Sequence, residues 1–200
     1  MNVFVAGGSG VIGLPLVRAL VTAGHQVTAL TRSGAKRNQL RTLGASVVIG
    51  DALNREALIA ALEAAYPTHV IHQLTALPKD GARRPSDLAA TNRLRINGTR
   101  NLLEAAITAG ARRFIVGSFA ILAPRNAVDE APRDQAAAAV RAMEHQVNEA
   151  TTRRSIEGII LRYGMFYGPD TPSTVTMIDM VRILMIMGWC RRDQRLQGCP

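Results

Sequence analysis

The sequence predicts a doubly wound α/β fold with a parallel sheet. Two observations carry that expectation. Short apolar runs alternate with amphipathic segments of about ten residues or more, long enough to cross back over a sheet, so neighbouring strands pair in parallel. The runs are apolar throughout rather than alternating, as strands are when helices cover both faces. At 200 residues and 48% apolar, the chain has the length for one domain, or one with a small appendage, and the material for its core.

Residues 2–6 are the first strand. A helix follows over 11–23, with apolar positions at 12, 16, 20 and 21 and a stop at Gly24. Residues 26–31 are the second strand. A short helix ends over 39–43 before Gly44, and 46–49 form the third strand. Asn54 caps a helix to about residue 65, where Pro67 ends it. The fourth strand is 69–74, and the Pro, Gly and charges of 75–85 make a loop. Ser86 caps a long helix to about residue 109, closed by Gly110. The fifth strand is 113–117, then come a helix over 136–152 and a sixth strand over 158–161. Double winding of these six gives the expected strand order 3-2-1-4-5-6.

The first strand leads straight into Ala6-Gly7-Gly8-Ser9-Gly10-Val11-Ile12-Gly13 and then into a helix. Gly7, Gly10 and Gly13 have GxxGxxG spacing. One glycine permits the tight turn, one lets backbone approach a pyrophosphate, and one lets the helix pack close on the strand. Free N–H groups and the positive end of the helix then face the phosphates, so Gly7, Ser9, Gly10, Val11, Ile12 and Gly13 are candidate dinucleotide-binding residues.

A dinucleotide lacking a 2′-phosphate commonly meets a carboxylate at the end of the second strand. This chain has no Asp or Glu among residues 1–50. Its second strand ends in Thr31-Arg32-Ser33, with Lys36 and Arg37 beyond. Arg32 and Lys36 suit a 2′-phosphate by charge and by forked hydrogen bonding, so NADP(H) is expected over NAD(H); the alternative is that Arg32 merely opens a solvated loop. Asp51, the first acid, either accepts from an adenine amino group or caps the next helix.

The net charge of +9 raises nucleic acid as a partner. The arginines are scattered, however, as at Arg83-Arg84, Arg112-Arg113 and Arg153-Arg154, and aromatics are only 4%, so no stacking platform is built and no nucleic-acid partner is expected. No apolar run reaches the ~20 residues of a membrane span, and a strand begins at residue 2 with no basic leader, so neither membrane nor secretion is expected. Cys190 and Cys199 are the only cysteines, which leaves no disulfide framework and no metal-ligand spacing and fits a reducing cytoplasm.

Six stretches in one order resemble the extended short-chain dehydrogenase/reductases, the NAD-dependent epimerase/dehydratase family. They are residues 6–13, Gly50-Asp51, 70–76, 97–106, 113–118 and 161–169. The resemblance implies an NAD(P)-binding Rossmann fold with the cofactor across the C-terminal strand ends. It implies that Asp51, Ala52 and Leu53 border the adenine and that Gln73, Leu74 and Thr75 pass beneath the nicotinamide half. It places the turn after Arg162 beside nicotinamide and substrate. His72 has two readings, a core histidine or a catalytic one.

The family's chemistry normally uses a tyrosine and a lysine four residues later on one helix face, the lysine assisting the phenol in proton exchange while hydride moves. Tyrosines here stand only at 66, 163 and 167, and lysines only at 36 and 79, so no YxxxK exists. Aligning the family's following glutamate on Glu144 puts Ala136 and Val140 in those two places, and Phe119, next to Ser118, where an assisting hydroxyl belongs. Ser118 and Tyr163 are the remaining catalytic candidates, with Tyr167 and His145 as further proton sources. Two functions stay open. One is an NADP(H)-dependent oxidoreductase or epimerase-like enzyme on a small hydroxyl or carbonyl compound, which the resemblance extends to nucleotide sugars. The other is a non-catalytic NADP(H)-binding sensor or regulatory protein.

Residues 1–170 are the expected cofactor domain. Residues 171–200 are expected to be a helix and polar tail, the remnant of a substrate-binding region. The helix, over 173–188, is apolar almost all round (Met177, Ile178, Met180, Val181, Ile183), either docked on the core or offering a surface to a partner such as a second copy.

Overall fold

A computed structural model describes residues 1–78, 82, 84–120, 135–164, 166–168, 174–175 and 177–183. The chain divides into two compact units, Met1–Gly164 and Met165–Pro200.

The first unit is a parallel sheet of six strands in the order β3-β2-β1-β4-β5-β6, as double winding requires. The strands are β1 (Asn2–Ala6), β2 (Gln26–Thr31), β3 (Ser46–Ile49), β4 (His69–His72), β5 (Arg113–Phe119) and β6 (Glu157–Tyr163). Helices α1 (Gly13–Thr22), α2 (Arg37–Thr42), α3 (Arg55–Ala65), α4 (Ala89–Arg93), α5 (Thr99–Thr108) and α6 (Gln135–Thr152) connect them.

Alternation along β1 divides the core in two. Val3 and Val5 pack with Val27, Ala29, Val17 of α1 and Leu40 of α2. Phe4 and Ala6 turn the other way, onto Val70, Phe114, Leu58 and Leu62 of α3, Leu102 of α5 and Met143 of α6. Phe4 and Phe114 are fully buried, and each contributes about 1.5–3 kcal/mol by leaving water.

Several boundaries differ from the expected ones. β5 runs on to Phe119 and β6 to Tyr163, carrying Ser118 opposite Arg162. β4 stops at His72, although the Gln73 N–H still donates to the Ala6 carbonyl at 2.8 Å. Asn54 caps α3 as expected, accepting from the Ala57 N–H at 3.1 Å. Ser86 does not cap the long helix. A 3₁₀ turn over Pro85–Leu88 precedes it, and the Asp87 carboxylate accepts from the Arg84 N–H instead. That long helix is interrupted by a π-helical turn over Leu94–Gly98, where the Ile96 carbonyl takes a hydrogen bond from Gln146 Nε2 at 3.2 Å.

Among the described residues no helix is long and apolar enough to cross a membrane. Two of the scattered arginines are ion-paired, Arg113 with Glu157 and Arg153 with Glu149. In the second unit, residues 177–183 are helical and Arg182 pairs with Asp179 at 3.7 Å. The rest of the expected C-terminal helix and tail lies outside the described residues.

Candidate functional site

A cleft of about 250 Å³ opens at the C-terminal ends of β1, β2, β3 and β4. Its first wall is the glycine turn, with Gly7, Ser9 and Gly10 on the lining. Gly7 has φ +89, a conformation that only glycine adopts without strain, and a Cβ there would stand 2.7 Å from the Gln73 carbonyl oxygen. Gly13 lies so close to the Gly7 carbonyl that any side chain would collide with it, which seats α1 against the loop. The Gly10 N–H closes the turn onto the Gly7 carbonyl at 3.0 Å, and the Leu14 N–H makes the first helical bond to the Gly10 carbonyl. The N–H groups of Val11, Ile12 and Gly13 come before that bond and have no partner among the described residues. The expected start of the helix at 11 is therefore two residues early. Those two residues belong to the turn, and their N–H groups are what an anion would meet.

The second wall is the end of β2. Arg32, Ser33 and Lys36 line it, and Arg32 and Lys36 are exposed. Thr31 ties the two walls together: its hydroxyl meets Ser9 Oγ at 2.9 Å and accepts from the Ser33 N–H at 3.2 Å. Lys36 Nζ reaches across and donates to the Ser9 carbonyl at 2.9 Å. Two positive charges, Arg32 and Lys36, thus stand on the wall beside the glycine turn.

The floor comes from β3 and β4. Asp51 and the buried Ala52 line it, and Asp51 Oδ1 accepts from the Leu53 N–H at 3.0 Å. Asp51 therefore closes a turn of its own while Asn54 does the capping. Leu53 faces an adjoining open hollow at the start of α3. Gln73, Leu74 and Thr75 line the far end. The sequence reading did not assign Leu30, Thr31, Ser33, Gly50 or Leu94 to the site, and they also line the cleft. Ser33 adjoins Arg32 and could have been inferred from it. Leu94 is brought in by the π-turn, which no periodicity announces.

His72 is a core histidine. It is 2% exposed, its Nδ1 accepts from the Leu74 N–H at 3.1 Å, and its ring proton therefore sits on Nε2, 3.1 Å from Thr99 Oγ1. Burial, with the nearby Arg95 charge, lowers its pKa to about 4, so it is neutral near pH 7.

The catalytic candidates separate. Ser118 is buried and absent from the cleft lining, and it donates to Glu144 Oε1 at 2.6 Å. Alternation along β5 turns it toward α6, on the opposite face from Tyr163. Arg162 grips the same carboxylate, Nε to Oε1 at 3.0 Å and Nη2 to Oε2 at 2.7 Å. Burial would raise the Glu144 pKa, but the hydrogen bonds from Arg162 and Ser118 outweigh it and hold the carboxyl below its ordinary value. Tyr163 points the other way, and Gln73 Nε2 donates to its phenol oxygen at 2.8 Å. On α6, Ala136 and Val140 are buried packing residues and His145 is exposed. Among the described residues no cluster of three or more His, Cys, Asp or Glu could hold a metal.

Comparison with known proteins bears on the family and the fold. The model of the NAD dependent epimerase/dehydratase family matches residues 3–185. A Streptomyces protein, 3-diazoavenalumate denitrifying reductase, is 42% identical over 181 residues, covering 86% of this chain and 58% of its own length. Photosystem II assembly factor Ycf39 of Trieres chinensis is 30% identical over 115 residues, 58% of this chain and 33% of the relative. The UDP-glucose 4-epimerase of Thermus thermophilus, solved in complex with NAD, superposes with a TM-score of 0.70 at 25% identity, over 89% of this chain and 61% of that one. The chain thus spans less than two thirds of each of these relatives.

Proposed function

The chain belongs to the NAD dependent epimerase/dehydratase family, and from that premise we propose that it is an NADP(H)-dependent reductase passing a hydride to a small-molecule acceptor. The observation that carries this reading is the cleft in which the glycine turn leading into α1, with Gly7, Ser9 and Gly10 on the lining, stands beside Arg32 and Lys36.

The residues fit the cofactor. Gly7, Ser9 and Gly10, with the N–H groups of Val11, Ile12 and Gly13, would hold the pyrophosphate. Arg32 and Lys36 would hold the 2′-phosphate, Lys36 giving up the Ser9 carbonyl to do so. Asp51, Ala52 and Leu53 would border the adenine, and Gln73, Leu74 and Thr75 the nicotinamide half. When bound, the reduced nicotinamide supplies the hydride. Tyr163 would face the acceptor.

The acceptor class follows from proton economy. A ketone needs a proton at oxygen as hydride arrives at carbon, and the tyrosine–lysine pair that supplies it in the family has no counterpart at YxxxK spacing in this sequence. An aryl diazonium needs none: hydride forms the new C–H bond, the C–N bond breaks, and dinitrogen leaves with the C–N pair. The Streptomyces relative is named for a diazo compound and for denitrifying reduction, which supports this class of acceptor here.

A second reading rests on the Ycf39 relative, named as an assembly factor: the chain binds NADP(H) and performs no turnover. Both readings meet in one assay. The full chain is titrated with NADPH and NADH by nicotinamide fluorescence, and NADPH oxidation is then followed with a benzenediazonium salt and with aryl ketones, against enzyme-free controls. Oxidation with the diazonium supports the reductase. Tight NADPH binding without turnover supports the assembly-factor reading, and no binding of either nucleotide refutes both.

A further inference from the structure

We propose that Gln73 is a positioning residue that couples the glycine turn to the acceptor end of the cleft through Tyr163, and that Gly117 is bare so that the pair can form. The proposal rests on the cleft being the NADP(H) site.

Gln73 stands at the point where the two halves of the cleft meet. Its backbone belongs to the first half. Its N–H donates to the Ala6 carbonyl at 2.8 Å, and its carbonyl lies where Gly7 has no room for a Cβ, 2.7 Å from that position. A side chain at Gly7 would have to displace the Gln73 carbonyl. The side chain belongs to the second half. Nε2 donates to Tyr163 Oη at 2.8 Å, joining the end of β4 to the last residue of β6 across the whole width of β5.

Gly117 lies on β5 beneath this bridge. A Cβ there would fall 2.5 Å from Gln73 Oε1 and 2.7 Å from Tyr163 Cε2. The φ of Gly117 is not in the left-handed region, so no backbone requirement accounts for glycine at this position. The space it leaves is filled by the amide and the ring edge, and any larger residue would push them apart. Because the amide donates to the phenol oxygen, it also fixes the directions left to the Tyr163 O–H. An amide of this length supplies both the reach and the N–H. A side chain of equal length without the N–H fills the space but cannot make this hydrogen bond.

The test reads the ring itself. The full chain is labelled with ¹³Cζ-tyrosine, and the Tyr163 signal among the three tyrosines is assigned with Tyr163→Phe. In the parent chain, NADPH shifts the Tyr163 signal. Gln73→Met, and independently Gln73→Glu, are read at NADPH concentrations that saturate each variant, so that any change in affinity is taken out of the comparison. In each, the Tyr163 response to NADPH falls to less than half. Circular dichroism confirms that each variant is folded. An equal Tyr163 response in the parent and both variants overturns the coupling. Failure of the parent chain to bind NADPH, seen in the same titration, overturns the cofactor reading and the proposal with it.

Discussion

Arg162, near the end of β6, forks onto Glu144 in the middle of α6, with Nε to Oε1 at 3.0 Å and Nη2 to Oε2 at 2.7 Å. Glu144 is 4% exposed, and its Oε1 also receives the Ser118 hydroxyl. This three-way knot joins β5, α6 and β6 directly behind Tyr163, and it holds the strand ends against which the acceptor would stand. Removing the guanidinium leaves a buried carboxylate without its charge partner. Arg162→Met is therefore expected to cost about 3 kcal/mol, and Arg162→Met with Glu144→Met to recover much of that loss. Urea unfolding of the three chains measures both.

His72 sets an acid limit. Its folded pKa of about 4 lies below the unfolded value of 6.5, so between the two the unfolded chain binds more protons and stability rises with pH. The contribution is intact above 6.5, falls away as pH drops through that window, and is fully lost below about 4, a change of about 3 kcal/mol. Unfolding free energies from pH 7 down to 4 should show this slope, and His72→Asn should flatten it.

Arg32 decides the nucleotide. Arg32→Asp should weaken NADPH by at least about tenfold, the value of one charge-assisted contact, while NADH changes by less than about threefold. Equal losses for both nucleotides would return Arg32 to the role of a solvated loop residue. Fluorescence titration of each nucleotide makes the comparison.

Gly7 and Gly24 give a matched pair. Both have positive φ, +89 and +78, but a Cβ on Gly7 meets the Gln73 carbonyl and one on Gly24 meets nothing within 4 Å. Ala at either site costs about 1–2 kcal/mol of backbone strain. Only Gly7→Ala should also cut NADPH affinity, by more than about tenfold, because it displaces the turn that would hold the pyrophosphate. Thermal melts and NADPH titrations of both variants separate strain from site.

The architecture was legible because each β1-type apolar run and each crossover helix is local. Phe4 and Val5 announce a doubly covered strand without reference to anything distant. The glycine turn was legible for the same reason. The far end of the site was not. Ser118, Glu144 and Arg162 lie 26 and 18 residues apart along the chain in the two contacts they make, and only the strand register brings them together. Ser118 and Arg162 also interrupt the apolar runs, so β5 and β6 read as ending before they do. The π-turn that delivers Leu94 to the cleft keeps helical periodicity on both sides of it. No spacing rule links Gln73 to Tyr163 across an intervening strand.

The most direct measurement of the central claim follows the hydride itself. The full chain is incubated with NADPH deuterated at the nicotinamide C4 and with a benzenediazonium salt in ordinary water, and the product arene is examined by mass spectrometry. Deuterium at the carbon that lost nitrogen, in excess of the enzyme-free control and reduced by Gly7→Ala, is the predicted result. An arene without deuterium from a chain that binds NADPH tightly would contradict it.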